Sequence, residues 1–343
     1  MSQIKKNNTL KSLAGETAIY GLSTILARFI NFVFVPIYTY TLSEFSYGVA
    51  TVFLAYIAIL QVLFTFGLET GCFRFANKES DSNKVFSNAL ITITGFCVPI
   101  LLISSLFYKE IANVMGYQST PQIIIYLFAI LCFDSISAIL FAKLRFLKKA
   151  LKFATFKTIK ILSETSLNLL LFFFIPSYLA KNPDSFILNF ISSTPDHTYI
   201  LFAIFISSII GFAIFIPQIC TLKLSFSRTL WKEMMIYSIP IMLAGLPGIL
   251  NDFIDRILFK FFSPDGNIWQ ADLGVFQAGV KVATIMMLFI QMFRFAAEPF
   301  FFAKEKDQDF RQTYGKVMIH FTAFSVLIFL GVLFYLDIIQ YVL

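Results

Sequence analysis

The chain has 343 residues, of which 58% are hydrophobic and only 14% are charged, and its formal net charge is +7 at pH 7. An average soluble domain carries about 25% charged residues, and a soluble fold of this size could not cover so much apolar surface with so few charges. With a mean hydropathy of +0.78, the composition excludes a soluble enzyme, a disordered chain and a nucleic-acid-binding domain. It predicts a protein that crosses a membrane several times.

Nine apolar runs have the length of a membrane-spanning helix. Crossing the hydrocarbon core takes about 20 helical residues, and each run is continuous, without the alternation typical of a transmembrane β-barrel. We therefore predict an all-α integral membrane protein. The predicted spans are 17–41, 48–70, 85–107, 122–142, 159–180, 199–221, 235–262, 273–299 and 317–339.

Basic residues are distributed unevenly between the predicted loops. With the N-terminus on the cytoplasmic side, 20 of the 27 Lys and Arg residues fall in inside segments or within three residues of them, and three in outside segments or within three residues of them. Because basic residues accumulate in the cytoplasmic loops of membrane proteins, this distribution predicts a cytoplasmic N-terminus. It also supports nine spans, since one missed span would reverse the sides of all later loops.

The segment 143–160 is the most basic stretch of the chain. It has seven basic residues and no acidic one, with Leu and Phe residues between them. This pattern predicts an amphipathic helix on the cytoplasmic membrane surface, in contact with anionic lipids. Two roles remain open: the charges orient the protein in the membrane, or they collect an anionic lipid substrate. Its position between two spans argues against RNA binding.

Five basic residues are candidates for binding a substrate. Arg28, Arg256, Lys281 and Arg294 lie within predicted spans, and Arg74 lies just beyond the second span. A charge at the bilayer centre costs about 2.5–3.5 kcal/mol on insertion scales, so such residues normally face a partner or a water-filled cavity. Arg74 also fits an ordinary cytoplasmic charge.

Acidic residues in the membrane regions are candidates for charge partners or for ion coupling. Asp252 with Arg256, and Arg294 with Glu298, are spaced four residues apart, so each pair can neutralise itself on one helix. The full set is Glu69, Asp134, Glu164, Asp252, Asp255 and Glu298.

Arg28 and Lys281 have no acidic residue one turn away in their own predicted spans. We therefore expect them to line a cationic cavity, unless an acidic residue of another helix, such as Asp134, pairs with them.

The sequence has no catalytic or metal-binding constellation. The four cysteines lie in or beside apolar runs, where small buried side chains are expected, and no Cys/His cluster indicates a metal. No phosphate-binding GxxxxGK[ST] motif occurs, so no ATP-driven step is encoded. We predict neither an enzyme nor a cofactor. In the seventh span, Pro240 and Pro247 flank Gly245, which predicts a bent or interrupted helix.

Spans 1–2 and 7–8 share short motifs at a nearly constant offset. Arg28 and Arg256 are 228 residues apart, and Gly48 and Gly274, each followed by Val, are 226 apart. The second copy begins six spans after the first, and an even offset keeps both copies in the same membrane orientation. The chain is thus predicted to follow a plan of two six-span lobes with a transport site between them.

The motifs occur in an order and spacing similar to those of a known family. The stretches 18–78 and 237–306 resemble the polysaccharide (O-antigen and capsule) flippases of the MATE-like MOP superfamily, and the similarity spans most of the chain. The motifs that carry the resemblance are Arg28-Phe29-Ile30-Asn31, Tyr47-Gly48-Val49, Phe66-Gly67-Leu68-Glu69, Asp255-Arg256, Leu273-Gly274-Val275-Phe276 and Ala297-Glu298-Pro299-Phe300.

The resemblance implies MATE-like helical bundles, with a complete six-helix lobe at 1–221 and the first three helices of a second lobe at 222–343. It implies an alternating-access transporter of the bacterial inner membrane. This transporter would move polyprenyl-diphosphate-linked oligosaccharide to the outer leaflet for surface polysaccharides such as lipopolysaccharide. The matching headgroup contacts are Arg28, Arg256, Lys281 and, less directly, Arg294. Other glycan-assembly membrane proteins would be further partners.

Members of the family usually have about twelve spans or more, so we expect this chain to be truncated at its C-terminal end. Two alternatives remain open. One is another exporter of the superfamily, for a peptidoglycan precursor or for drugs; a drug/cation antiporter should favour acidic cavity residues, whereas Arg28 and Lys281 are basic. The other is a membrane-embedded glycan-modifying enzyme, which needs a long outside loop with catalytic residues. The longest predicted outside loop, 181–198, is short.

Overall fold

The computed structural model describes residues 26, 29–263, 268–304 and 310–342, without the side chains of 294–296, 298–304, 340 and 342. Within these residues the chain forms helices and no strand, and eight helices are long and apolar enough to cross a membrane. The predicted all-α integral membrane fold is therefore confirmed. The start of the first predicted span lies outside the described residues, and its described end is the shorter apolar helix Phe29–Thr41.

The α-helices are numbered in chain order. Residues 44–78, 150–181 and 197–220 each form one candidate span that contains two numbered helices. The helices are α1 (Val35–Thr41), α2 (Glu44–Thr65), α3 (Leu68–Lys78), α4 (Ser82–Leu106), α5 (Tyr108–Met115), α6 (Gln122–Phe146), α7 (Ala150–Leu169), α8 (Ile175–Lys181), α9 (His197–Ala213), α10 (Ile216–Cys220), α11 (Arg228–Phe262), α12 (Trp269–Lys304), α13 (Phe310–Phe334) and α14 (Leu336–Val342).

Short polar side chains fix where several long helices begin. The Ser43 hydroxyl accepts a hydrogen bond from the Ser46 amide at the start of α2. Asp81 caps α4 and Asp196 caps α9 in the same way, and Ser227 caps α11. Such caps satisfy backbone N–H groups that the first helical turn leaves without partners.

Contacts divide the chain into two compact units, Leu42–Gly274 and a second unit that comprises Val275–Leu343 with the first 41 residues. In the unit Leu42–Gly274, α6 is the central helix: it packs against α2, α3, α4, α7 and α9, and 72% of its most apolar window is buried. Helix α11 packs against α2, α3 and α4. The lobe boundary between residues 221 and 222 stays a prediction.

The second predicted span contains a break that the sequence analysis did not predict. Helices α2 and α3 meet at Phe66 and Gly67, whose φ angles are 51° and 66°. Glycine adopts this left-handed conformation readily, whereas it is uncommon for phenylalanine. The Phe66 ring packs against Phe96 of α4, with ring centroids 4.8 Å apart, and this contact helps to hold the break.

The seventh predicted span is bent or continuous but not interrupted, so of the two predicted forms the interruption is wrong and the bend stays a prediction. Helix α11 is continuous from Arg228 to Phe262, with Pro240 and Pro247 inside it. Membrane helices tolerate such prolines when neighbouring helices hold the segment, and α11 packs against three helices. The irregular turn instead precedes Pro176, where residues 170–174 form a π-helical turn between α7 and α8.

The interpretation of 143–160 as one amphipathic surface helix is also wrong. Helix α6 continues to Phe146, a tight turn follows with Lys148 at a φ of 54°, and α7 begins at Ala150 within the candidate span Ala150–Lys181. The basic residues thus belong to the end of α6, to the turn and to the first eleven residues of α7. In the sequence they resemble one amphipathic stretch because the turn lacks Gly and Pro.

The two repeat-related glycines face each other where α2 crosses α12. A Cβ atom at Gly48 would lie 1.7 Å from the carbonyl oxygen of Gln270, and one at Gly274 would lie 2.1 Å from that of Glu44. The contact is reciprocal. Gly48 faces the carbonyl of Gln270, four residues before Gly274, and Gly274 faces the carbonyl of Glu44, four residues before Gly48. This is the pattern expected for two copies of one motif related by a local two-fold axis.

We expect Gly67→Ala to destabilise the protein more than Gly116→Ala. Both glycines have positive φ angles, 66° and 85°, which an alanine side chain disfavours. A Cβ at Gly67 would also lie 2.6 Å from the Ser238 carbonyl oxygen, whereas no atom lies within 4 Å of one at Gly116. The midpoints of thermal unfolding of the purified variants measure the difference. Equal midpoints would show that the contact between α3 and α11 is looser than described.

Candidate functional site

A cavity of about 620 Å³ lies beside the break between α2 and α3. The ends of these two helices form one wall, with Glu69 and Phe73, and α11 forms another around Gly245; Arg145 of α6 completes the lining. The volume falls within the range of about 300–1,000 Å³ that is common for small-molecule sites. Broken membrane helices that line a cavity often form the binding sites of transporters.

An ion pair between α3 and α6 occupies the wall of this cavity. Arg145 Nη2 lies 3.0 Å from Glu69 Oε2, and the two side chains are 37% and 38% exposed. The pair places a guanidinium and a carboxylate in a candidate spanning region, where an isolated charge costs several kcal/mol. The partial exposure shows that the charges are reachable from the cavity.

The Arg145 guanidinium has binding capacity beyond Glu69. Its carbon lies 5.4 Å from the centroid of the Phe73 ring, a cation–π distance. In the part of the chain that the structure describes, Arg145 Nε is buried without a hydrogen-bond partner. Arginine has several N–H donors in a planar fork that suits phosphate and carboxylate groups. The side chain can therefore hold Glu69 and still donate to a ligand oxygen.

A second charge cluster joins α6 to α7. Lys160 Nζ lies 2.6 Å from Asp134 Oδ1, and the two side chains are 25% and 22% exposed. Glu164, one turn after Lys160, interacts electrostatically with both. Gly211 of α9 makes room for the lysine, since a Cβ there would lie 3.1 Å from Lys160 Cδ. Asp134, offered above as a partner for Arg28 or Lys281, thus bonds to Lys160.

Arg256 lies among acidic groups of its own helix. It interacts electrostatically with Asp255, with Tyr47 of α2 and with Asp252, and its guanidinium carbon lies 4.7 Å from the centroid of the Phe253 ring. The interaction with Asp252 agrees with the four-residue spacing in the sequence. Arg256 therefore carries a charge that its neighbours already balance in part.

Arg74 does not line the cavity of about 620 Å³. It is exposed at the end of α3, and its guanidinium carbon lies 4.1 Å from the centroid of the Tyr237 ring on α11. Nearby, Lys78 Nζ lies 3.9 Å from Glu233 Oε2. These contacts hold the end of α3 against α11.

The remaining candidate residues are only partly described. Lys281 is partly buried on α12. Arg294 and Glu298 lie on the same helix, but their side chains are outside the description, and Arg28 is outside the described residues altogether. Their roles stay predictions.

Sequence reasoning missed Arg145 and Lys160 as site residues. Arg145 was counted among the cytoplasmic charges because the predicted span ended at 142, and Lys160, at the edge of the span predicted to begin at 159, was counted with it. For Arg145 the sequence does contain a usable signal, which is the lack of any helix-breaking residue between Ala142 and Phe146. Helix α6 accordingly extends by another turn, to Phe146. The pairing with Glu69 and Asp134 depends on contacts between helices, which no sequence spacing reveals.

Comparison with known protein families gives a match over most of the chain. A family model described as "Polysaccharide biosynthesis protein" matches residues 13–305, a stretch that contains both charge clusters and the cavity. No curated protein and no solved structure matches the chain.

Proposed function

Because the chain belongs to the polysaccharide biosynthesis protein family and is a multi-pass membrane protein, we propose that it flips lipid-linked oligosaccharide. The substrate is a polyprenyl-diphosphate-linked oligosaccharide, and it moves from the cytoplasmic to the outer leaflet of the bacterial inner membrane. Family membership supports polysaccharide-related transport in general. The substrate class, the direction and the residues below are our proposal.

The observation that carries the proposal is the ion pair beside the broken helix. Glu69 and Arg145 bring fixed charge to a cavity between α3, α6 and α11. A sugar headgroup with a diphosphate needs both charged and hydroxyl-binding partners to leave water. Arg145 supplies donors for phosphate, Glu69 accepts from hydroxyls, and Phe73 offers an apolar face.

Charge also supports the direction of movement. Moving an anion outward across an inside-negative potential is downhill by about 2.3 kcal/mol per charge per 100 mV, so the step requires no ATP. We propose that the diphosphate meets Arg145 together with the predicted residues Arg28, Arg256, Lys281 and Arg294. Arg74, exposed near the end of α3, is a further proposed substrate contact. The acidic residues of the two charge clusters balance these charges, and Asp134 and Glu164 are the candidates for ion coupling.

The internal repeat supports alternating access. In this proposal the two lobes, 1–221 and 222–343, are related by the local two-fold contact of Gly48 with Gly274. The predicted topology, with a cytoplasmic N-terminus, places that contact at the outer ends of α2 and α12. We propose that its separation opens the path to the outer leaflet.

The turn between α6 and α7 is the proposed contact with anionic membrane lipids. Lys148, Lys149 and Lys152 are exposed around it, and the predicted topology places them at the cytoplasmic surface, where anionic lipids attract basic groups. Other glycan-assembly membrane proteins are the proposed further partners.

The double variant Arg28→Ala, Lys281→Ala is expected to abolish surface glycan display while the protein is still made and inserted. Removing both charges takes away two of the fixed positive partners that we propose for the diphosphate in the membrane. Glycan on intact cells, measured with an antibody or lectin, reports display, and immunoblotting of membranes reports expression. The matched control is Lys109→Ala, Lys181→Ala, at exposed residues of the predicted outside loops. Normal display in the Arg28, Lys281 variant would contradict the assignment of these two residues.

A further inference from the structure

A groove of about 510 Å³ separates α12 from α13 in the unit that contains Val275–Leu343. Four aromatic rings line it, and Lys316 and His320 are also part of its lining. The aromatic residues are Phe289, Phe293, Phe321 and Phe324. The groove is separate from the cavity at Glu69 and Arg145, with which it shares no residue.

The body of the groove is suited to a hydrocarbon chain. Phe321 stacks on Phe289, with ring centroids 5.8 Å apart and planes 9° from parallel, and its centroid lies 4.3 Å from that of Phe293. Stacked rings form a firm wall, because their mutual contacts restrict rotation. An acyl chain that lies along this wall gains contact area without leaving the apolar environment.

The basic residues supply a headgroup contact. Lys316 and His320 are both exposed and lie four residues apart on α13, so they project from the same face of the helix. His320 Nδ1 lies 2.7 Å from the Lys316 carbonyl oxygen; because a carbonyl only accepts, Nδ1 is the donor, and this bond orients the ring. The predicted topology places both residues at the cytoplasmic end of the ninth span, at the depth of lipid headgroups.

We propose that this groove binds an anionic glycerophospholipid of the cytoplasmic leaflet. Basic pockets between membrane helices on the cytoplasmic side are suited to anionic headgroups, and here a cationic rim adjoins an apolar groove. The lipid phosphate accepts from the Lys316 ammonium, beside the His320 ring, and one acyl chain lies against the phenylalanine rings. Charge complementarity favours an anionic lipid over a zwitterionic one, whose choline or ethanolamine group would be repelled by Lys316. The lipid is a resident of the fold and is not the transported cargo.

Binding of defined lipids to the purified full chain tests this site. We would titrate the protein in detergent with phosphatidylglycerol or phosphatidylcholine and count bound lipids by native mass spectrometry. One phosphatidylglycerol should bind preferentially, and Lys316→Gln should weaken it about fivefold, the effect expected for one basic residue near a charged headgroup. Val317 also lines the groove, and Val317→Phe, which narrows the groove without changing its charge, should likewise weaken phosphatidylglycerol binding. Lys232→Gln, at an exposed residue near the start of α11, should leave binding unchanged.

Three results would overturn the proposal. The first is equal retention of phosphatidylglycerol by the wild-type protein and Lys316→Gln. The second is equal binding of the two phospholipids. The third is displacement of phosphatidylglycerol by an equimolar polyprenyl phosphate whose own binding is lost in Lys316→Gln, which would assign the groove to the cargo lipid.

Discussion

Alanine at Gly48 or at Gly274 is expected to lower the thermal stability of the protein and to abolish surface glycan display. In most helices the same substitution stabilises by up to about 1 kcal/mol. Here the added methyl group would lie 1.7 Å from the Gln270 carbonyl oxygen or 2.1 Å from that of Glu44. Backbone atoms of a helix cannot change position by rotamer changes as side-chain atoms can, so α2 and α12 must move apart. Overpacking of this kind costs about 1–3 kcal/mol, and sometimes more.

Two other helical glycines provide matched controls. A Cβ at Gly279 of α12 or at Gly95 of α4 would have no atom within 4 Å. Gly279→Ala and Gly95→Ala should therefore keep or raise the unfolding midpoint of the purified protein, whereas Gly48→Ala and Gly274→Ala lower it. Similar midpoints for all four variants would show that the close crossing of α2 and α12 does not exist in the folded protein.

The double variant Gly48→Ala, Gly274→Ala should lower the free energy of unfolding by less than the sum of the losses in the two single variants. Both single changes force the same separation of the two helices, and neighbouring substitutions that share one structural response are not additive. The packing around the crossing also shares its residues: Val52, Trp269 and Leu273 form one buried cluster, with Tyr56 and Phe259 packed against it.

Reversing the ion pair is expected to separate its structural role from its transport role. Arg145→Ala removes the ion-pair partner of the Glu69 carboxylate, and Glu69→Ala removes the ion-pair partner of the Arg145 guanidinium. Loss of one partner of a fully buried pair costs about 3–5 kcal/mol; because these side chains are more than one third exposed, we expect about 1–3 kcal/mol. Both single variants should lose glycan display. The swap Glu69→Arg, Arg145→Glu should restore much of the stability, because the charges still attract.

The swap should not restore transport. It moves the guanidinium from α6 to α3 and away from its position beside the Phe73 ring, so the donors that we assign to the diphosphate point elsewhere. Unfolding midpoints report stability, and glycan on intact cells reports transport. If the swapped variant displays glycan at the wild-type level, the pair is only a contact between helices, and the proposed role of Arg145 is wrong.

Length and composition were sufficient to predict the helices of the membrane domain, but not their irregular points. Phe66 adopts a left-handed conformation because Phe96 and the glycine beside it support a break, and no local sequence rule assigns that role to phenylalanine. Conversely, Pro240 and Pro247 are strong breakers in isolation, yet α11 continues through them because neighbouring helices hold it. In both cases tertiary packing overrides the local preference.

The candidate site was predictable in its chemistry but not in its pairing. Glu69 and Asp134 were identified as charges in the membrane, which follows from the apolar runs around them. Their partners, Arg145 at the end of α6 and Lys160 in the middle of α7, belong to the basic stretch 143–160, where such residues can also set orientation. A single sequence cannot separate these two causes. The matching motifs at Gly48 and Gly274, in contrast, did indicate related segments, and the structure brings them into contact.

Reconstitution of the purified protein into liposomes tests directly whether it flips lipid-linked oligosaccharide and whether Arg145 takes part. Purified protein is placed in liposomes that carry a polyprenyl-diphosphate oligosaccharide, and a glycosidase added outside measures how fast the inner-leaflet sugar becomes accessible. From the proposed function we expect complete accessibility with the wild-type protein and, with Arg145→Ala at equal amounts of inserted protein, a rate at least about tenfold lower, equivalent to about 1.4 kcal/mol in the barrier. Accessibility limited to the outer leaflet with the wild-type protein, or equal rates for wild-type and Arg145→Ala, would contradict it.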